Sequence, residues 1–136
     1  MKLKPVLVAS AIYLGLIGLG VLFVPRYFGV GAVPPDASPA LIAFLRIFSG
    51  PCLGIAVLNW LARNAEPSPA RDAIILANTV GFGIVAANDV WGVFSGDARE
   101  VAKVFLVVHL LFTFGFIAAW RGWRDTTGKS AAARSR

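Results

Sequence analysis

The chain has 136 residues, enough for one small domain and too few for two. Its composition is 57% hydrophobic and 15% charged, against about 45–50% and about 25% in soluble domains, which excludes an ordinary soluble domain and equally a disordered chain. The formal net charge is +6, but the basic residues stand at the ends of apolar runs, where they meet headgroups and water, so no nucleic-acid partner is expected.

An apolar run must reach about 20 residues to cross a hydrocarbon core, and four runs do so. The first covers about residues 5–24 and is uncharged. Lys2 and Lys4 precede it like the basic start of a signal peptide, yet it ends in Val24-Pro25-Arg26-Tyr27 without a small-residue cleavage site, so it reads as a retained span. The loop that follows, Pro25 to Ser38, holds Gly29, Gly31, Pro34 and Pro35 and shows no periodicity. The second run covers about residues 39–62 and contains Arg46, and the third about 69–94, containing Asp89. Ser38-Pro39 and Ser68-Pro69 each give an N-cap serine followed by proline at the first helical position, where its missing N–H costs nothing. The fourth run covers about residues 101–120, with Lys103 near its start, and Asp97 with Glu100 three residues on predicts a capping box for it. None of the runs alternates as barrel strands do, and backbone groups in lipid must bond internally, so the runs are helices. The fold expected is all-α: a four-transmembrane-helix bundle within residues 1–124, followed by a basic flexible tail, 125–136.

Basic residues orient the bundle. Lys2, Lys4, Arg63, Arg71, Arg121, Arg124, Lys129, Arg134 and Arg136 fall on one side, and Arg26, Arg99 and Lys103 on the other. That asymmetry predicts cytoplasmic N- and C-termini. It also places Trp60, Trp120 and Trp123 at the inner interface and Tyr27, Phe28 and Trp91 toward the outer one.

Ionisable groups inside a span are costly, so each needs a partner or a purpose. At about 1.5 Å per residue, Arg46, Asp89 and Lys103 share one layer in the outer half, and His109 lies closer to mid-membrane. The economical arrangement is an Arg46–Asp89 ion pair that fixes helix register, with Lys103 competing or snorkelling outward. The alternative is an outward-facing polar cavity for an anion, a proton or a headgroup, built from Arg46, Asn88, Asp89, Lys103 and His109. His109, the single histidine, is read first as a neutral side chain hydrogen-bonded inside the bundle, and otherwise as a proton relay with Asp89. Haem at His109 would need a second histidine from another subunit, and no cofactor or metal is expected. Asn59 and Asn78 read as interhelical hydrogen-bonding residues. Gly50 and Gly54 form a GxxxG for close helix packing, Gly15, Gly18, Gly81 and Gly83 also permit close approach, and Pro51 between Gly50 and Gly54 frees the Ile47 carbonyl and predicts a kink. Phosphate loops, dinucleotide fingerprints, HExxH and GxSxG are all missing from the sequence, so no catalytic residues are assigned, soluble enzymology is excluded, and an intramembrane enzyme is left without sequence support.

The first span closes Leu22-Phe23-Val24-Pro25 and continues Tyr27-Phe28-Gly29. The second carries Leu45-Arg46-Ile47, Gly50 and Gly54 and ends Asn59-Trp60-Leu61-Ala62-Arg63, and the third opens with Arg71 and reaches Asn78. This pattern, over about residues 5–120, resembles a group of small bacterial four-span membrane proteins, broadly DoxX-like in size and span number. The resemblance implies fold and bacterial inner-membrane location and brings no activity with it. The reading is a structural or accessory membrane subunit, partnered by the bilayer and by copies of itself or a larger complex. Its rivals are an oligomeric transporter or channel-like protein and, further off, a haem-binding redox subunit and an intramembrane enzyme.

Overall fold

A computed structural model describes residues 3–28 and 33–134, with side chains described as far as residue 122. The described chain is all helical, with no strand. Five helices follow in order: α1 (Leu3–Phe23), the single turn α2 (Pro25–Phe28), α3 (Pro39–Ala62), α4 (Pro69–Ser95) and α5 (Ala102–Arg134). Four of them are long and apolar enough to cross a membrane, over Leu3–Phe23, Pro39–Ala62, Pro69–Ser95 and Ala102–Gly122. These are the elements of the expected four-transmembrane-helix bundle. The chain divides into two compact units, one of Leu7–Asn64 and the other of Met1–Val6 with Ala65–Arg136.

In the first unit, Pro25 has no N–H and ends α1, and the chain continues through α2 with Val24 N–H donating to the Gly20 carbonyl and Phe28 N–H to the Val24 carbonyl, both at 2.9 Å. Residues just before α3 are held by Arg26, whose guanidinium donates to the carbonyls of Pro35 at 2.7 Å and Ala37 at 2.9 Å. Ser38 then caps α3 as its sequence predicts: its backbone is extended and its hydroxyl accepts the Leu41 N–H at 3.2 Å. Helix α3 runs on through Pro51 without interruption. It comes close to α1 at Gly18, which is buried, and where an added Cβ would stand 2.7 Å from Leu53 Cγ. At Gly20 an added Cβ would run into the Phe28 ring. Deeper in the same unit Asn59 Nδ2 donates to Ser10 Oγ at 3.0 Å, and Ser10 donates in turn to the Leu7 carbonyl at 3.0 Å. Both polar side chains are fully buried, so each must bond, and Asn59 takes the interhelical role its position suggests.

In the second unit, Ser68 caps α4 by accepting the Arg71 N–H at 3.3 Å. Asp72 lies in the first turn, beside the positive end of the helix dipole. Gly96 closes the helix in the left-handed conformation (φ 79°, ψ 4°), which a side chain disfavours.

The capping box expected at Asp97 and Glu100 does not form. After Gly96 the chain folds back on α4: Ala98 N–H donates to the Gly92 carbonyl at 2.9 Å and Asp97 N–H to Ser95 Oγ at 3.4 Å. Glu100 instead accepts from Lys103 Nζ at 2.8 and 3.0 Å. The helix therefore begins at Ala102, entered through three-residue bonds such as Ala102 N–H to the Arg99 carbonyl at 2.9 Å. At its other end α5 continues past the span to Arg134, through most of the segment expected to be a flexible tail.

Candidate functional site

Helices α4 and α5 form an antiparallel hairpin. Asp89 lies six residues before the last residue of α4, and His109 seven after the first residue of α5, so the hairpin sets them level, about 10 Å from its turn end at about 1.5 Å per residue. Asp89 Oδ2 and His109 Nδ1 are 2.5 Å apart. Their side chains are 15% and 11% exposed. With the imidazole protonated the two charges cancel, which lowers the cost of holding either group in hydrocarbon.

Aromatic rings shield the couple. Phe82 lies on α4 two turns before Asp89, its ring centroid 6.1 Å from the imidazole, and Phe105 stacks from the other side at 6.2 Å. Phe82 also stacks on Phe112 at 4.6 Å and on Phe116 at 6.1 Å, and Phe116 is fully buried. Thr113 lies one turn beyond His109 and donates its hydroxyl to the His109 carbonyl at 2.8 Å, and its methyl is 3.8 Å from where a Cβ at Gly83 would stand. Small groups at Gly83 and Ala86 thus let the hairpin close around the couple. The arrangement can hold one proton between an imidazole and a carboxylate, in surroundings that exclude bulk water.

The structure places the remaining sequence candidates as follows. Asp89 finds a hydrogen-bond partner in its own hairpin, His109. Arg46 is exposed, and the bond involving it is through its backbone carbonyl, which accepts from Ser49 Oγ at 2.5 Å. Asn88, next to Asp89 in sequence, is exposed, because a helical step of one residue turns it about 100° from the couple. Lys103 is bound to Glu100 near the surface and stays outside the couple. Asn78 is buried, and its Nδ2 donates to the Ile74 carbonyl at 2.9 Å within α4. Gly50 and Gly54 have no side-chain or neighbouring-helix atom among the described residues within 4 Å of where a Cβ would lie. Close approach is made at Gly18 instead.

Sequence reasoning missed the aromatic shield and the Ser10 hydroxyl. The signal for the shield was present: Phe105, His109, Phe112 and Phe116 fall on one face of a 3.6-residue helix. Among the described residues no group of three His, Cys, Asp or Glu side chains comes together as a metal site would need. No family model matches the chain, and no curated protein or solved structure shows significant similarity to it.

Proposed function

We propose that this chain is a multi-pass protein of the bacterial cytoplasmic membrane, with both termini cytoplasmic, that serves as a non-enzymatic structural or accessory subunit of a membrane assembly. The small DoxX-like four-span proteins are the group it fits. The observation that carries this reading is how little of each span the chain covers for itself. In the four candidate spans the buried share is only 22–28%, and large apolar side chains such as Ile47, Leu61, Ile84, Trp91 and Leu111 stand more than 60% exposed. Lipid covers such surface at no cost, and so does a partner helix. The bonded polar groups within the spans, Ser10 with Asn59 and Asp89 with His109, hold helices together, which is the work of a scaffold.

The test is extraction in a mild detergent after brief cross-linking of whole membranes. The expected result is a stoichiometric complex, either of this chain with itself or with another membrane protein. A single chain in native lipid discs with no cross-linked partner overturns the subunit reading.

One observation favours a second reading, a small proton-coupled transporter or channel. It is the shielded Asp89–His109 couple, whose parts are those of an intramembrane proton relay. Liposomes carrying the protein and an internal pH dye distinguish the two. A proton flux abolished by Asp89→Asn supports the transporter, and an unchanged internal pH removes it.

A further inference from the structure

We propose that the exposed flank of α3 around Arg46 is a phospholipid-binding site: the Arg46 guanidinium holds the headgroup phosphate, and the bare backbone at Gly50 and Gly54 seats an acyl chain.

The argument begins with a charge in an expensive place. Arg46 lies seven residues inside α3, about 10 Å from its N-terminal end at about 1.5 Å per residue. A 24-residue helix is about 36 Å long, so it overhangs a hydrocarbon core of about 30 Å by about 3 Å at each end. The Arg46 Cα therefore sits about 7 Å inside the hydrocarbon edge. The side chain is exposed, and no ion-pair partner for it is found among the described residues. A cation facing outward at that depth needs an anion.

Depth and direction select the anion. Every Cα–Cβ bond in a helix tilts toward the helix N-terminus, and for Arg46 that is the near membrane surface. An extended arginine spans about 6–7 Å from Cα to guanidinium and so reaches the hydrocarbon edge by snorkelling, where the headgroup phosphates begin. The planar fork then offers paired N–H donors to phosphate oxygens. The first turn of α3 contains no acidic residue to repel such a group, although Asp36 lies in the preceding loop.

Below the guanidinium, Gly50 and Gly54 follow at successive four-residue steps, so all three share one flank. Both glycines are exposed, and nothing lies within 4 Å of where their Cβ atoms would be. The flank is thus a cation at the phosphate level with a shallow trough running from it into the hydrocarbon, the outline of a headgroup and one chain. A second copy of the protein fits this face poorly. Two parallel helices crossing at Gly50 and Gly54 would set two Arg46 guanidinium groups side by side near the membrane surface, like charges with no anion between them.

The test uses the full-length protein, delipidated in detergent and titrated with dioleoylphosphatidylglycerol while native mass spectrometry counts bound lipids. Wild type is expected to hold one lipid above the background of non-specific adducts. Arg46→Gln is expected to weaken that site about tenfold, and Arg46→Lys, which keeps the charge but loses the fork, to weaken it less. Gly54→Leu fills the trough at an exposed position, leaves the fold intact, and is expected to weaken lipid binding severalfold. Inorganic phosphate added in excess is expected not to displace the lipid. Binding by both Arg46→Gln and Gly54→Leu equal to wild type overturns the proposal, as does displacement by phosphate alone. Efficient disulfide dimers of Gly54→Cys in native membranes also overturn it, since they show a second copy on this face.

Discussion

Replacing Asp89 by leucine removes the partner of a shielded histidine and leaves the hairpin otherwise packed. The bond at stake is short, at 2.5 Å, and its side chains are 15% and 11% exposed, so water replaces little of what is lost. Hydrogen bonds to charged groups contribute about 1.5–3 kcal/mol in water-soluble proteins. Interhelical hydrogen bonds in membranes average about 0.6 kcal/mol and reach about 1.7. The geometry here places the Asp89–His109 coupling near the top of the membrane range, about 1.5 kcal/mol. Each single change costs more than the coupling itself, because it also strands a polar group against Phe82 and Phe105: about 2–3 kcal/mol for Asp89→Leu or His109→Leu. The double change removes both groups and recovers most of that loss. Asp89→Asn keeps an oxygen acceptor and costs about half as much as Asp89→Leu. Reversible unfolding of the four proteins in mixed micelles, analysed as a double-mutant cycle, measures the coupling directly. A coupling below about 0.5 kcal/mol, with single changes that simply add, would falsify the account of the site.

Further changes probe the packing within each unit. Gly18→Ala forces a Cβ to within 2.7 Å of Leu53 Cγ and is expected to cost about 1–3 kcal/mol. Gly50→Ala and Gly54→Ala meet nothing and stabilise α3 slightly through helix propensity, by up to about 1 kcal/mol; equal melting-temperature losses at all three glycines would contradict this. Asn59→Leu breaks the fully buried bond to Ser10 and is expected to cost about 1–2 kcal/mol, with Ser10→Ala in the same background adding little. Gly96→Ala strains the left-handed residue at the end of α4 (φ 79°) and is expected to cost about 1 kcal/mol, seen as faster hydrogen exchange in the turn before α5.

The spans were legible because their signals are local. A run of apolar length and a Ser-Pro pair at each of two starts placed α3 and α4 at Pro39 and Pro69, where the structure has them. The start of α5, expected near residue 101, lies at Ala102, but its cap was misread: another local bond, from Ala98 N–H back to the Gly92 carbonyl at the end of α4, takes the place of the capping box. The partner of Asp89 was less legible. Counting residues gives depth along a helix but not the direction a side chain faces, so Arg46, Asp89 and Lys103 appeared equally close. In a soluble helix the apolar stripe supplies that direction, but a span is apolar on all sides and loses the contrast. Counting outward from the α4–α5 turn would have set Asp89 level with His109, and the phenylalanines at 105, 112 and 116 would have marked the face. The glycines divide for the same reason: Gly18 packs against Leu53 as its small size allows, while Gly50 and Gly54 are exposed, and spacing alone does not separate them.

The central claim is a chain crossing the bilayer four times with both ends in the cytoplasm. Single cysteines are introduced at residues 2, 37, 66, 97 and 135 of a Cys52→Ala background. Each is then labelled in intact cells with a membrane-impermeant maleimide, before and after permeabilisation. The account predicts labelling at 37 and 97 in intact cells, and at 2, 66 and 135 only after permeabilisation. Labelling of 2 or 135 from outside would contradict the orientation, and two consecutive positions on the same side would contradict the four crossings themselves.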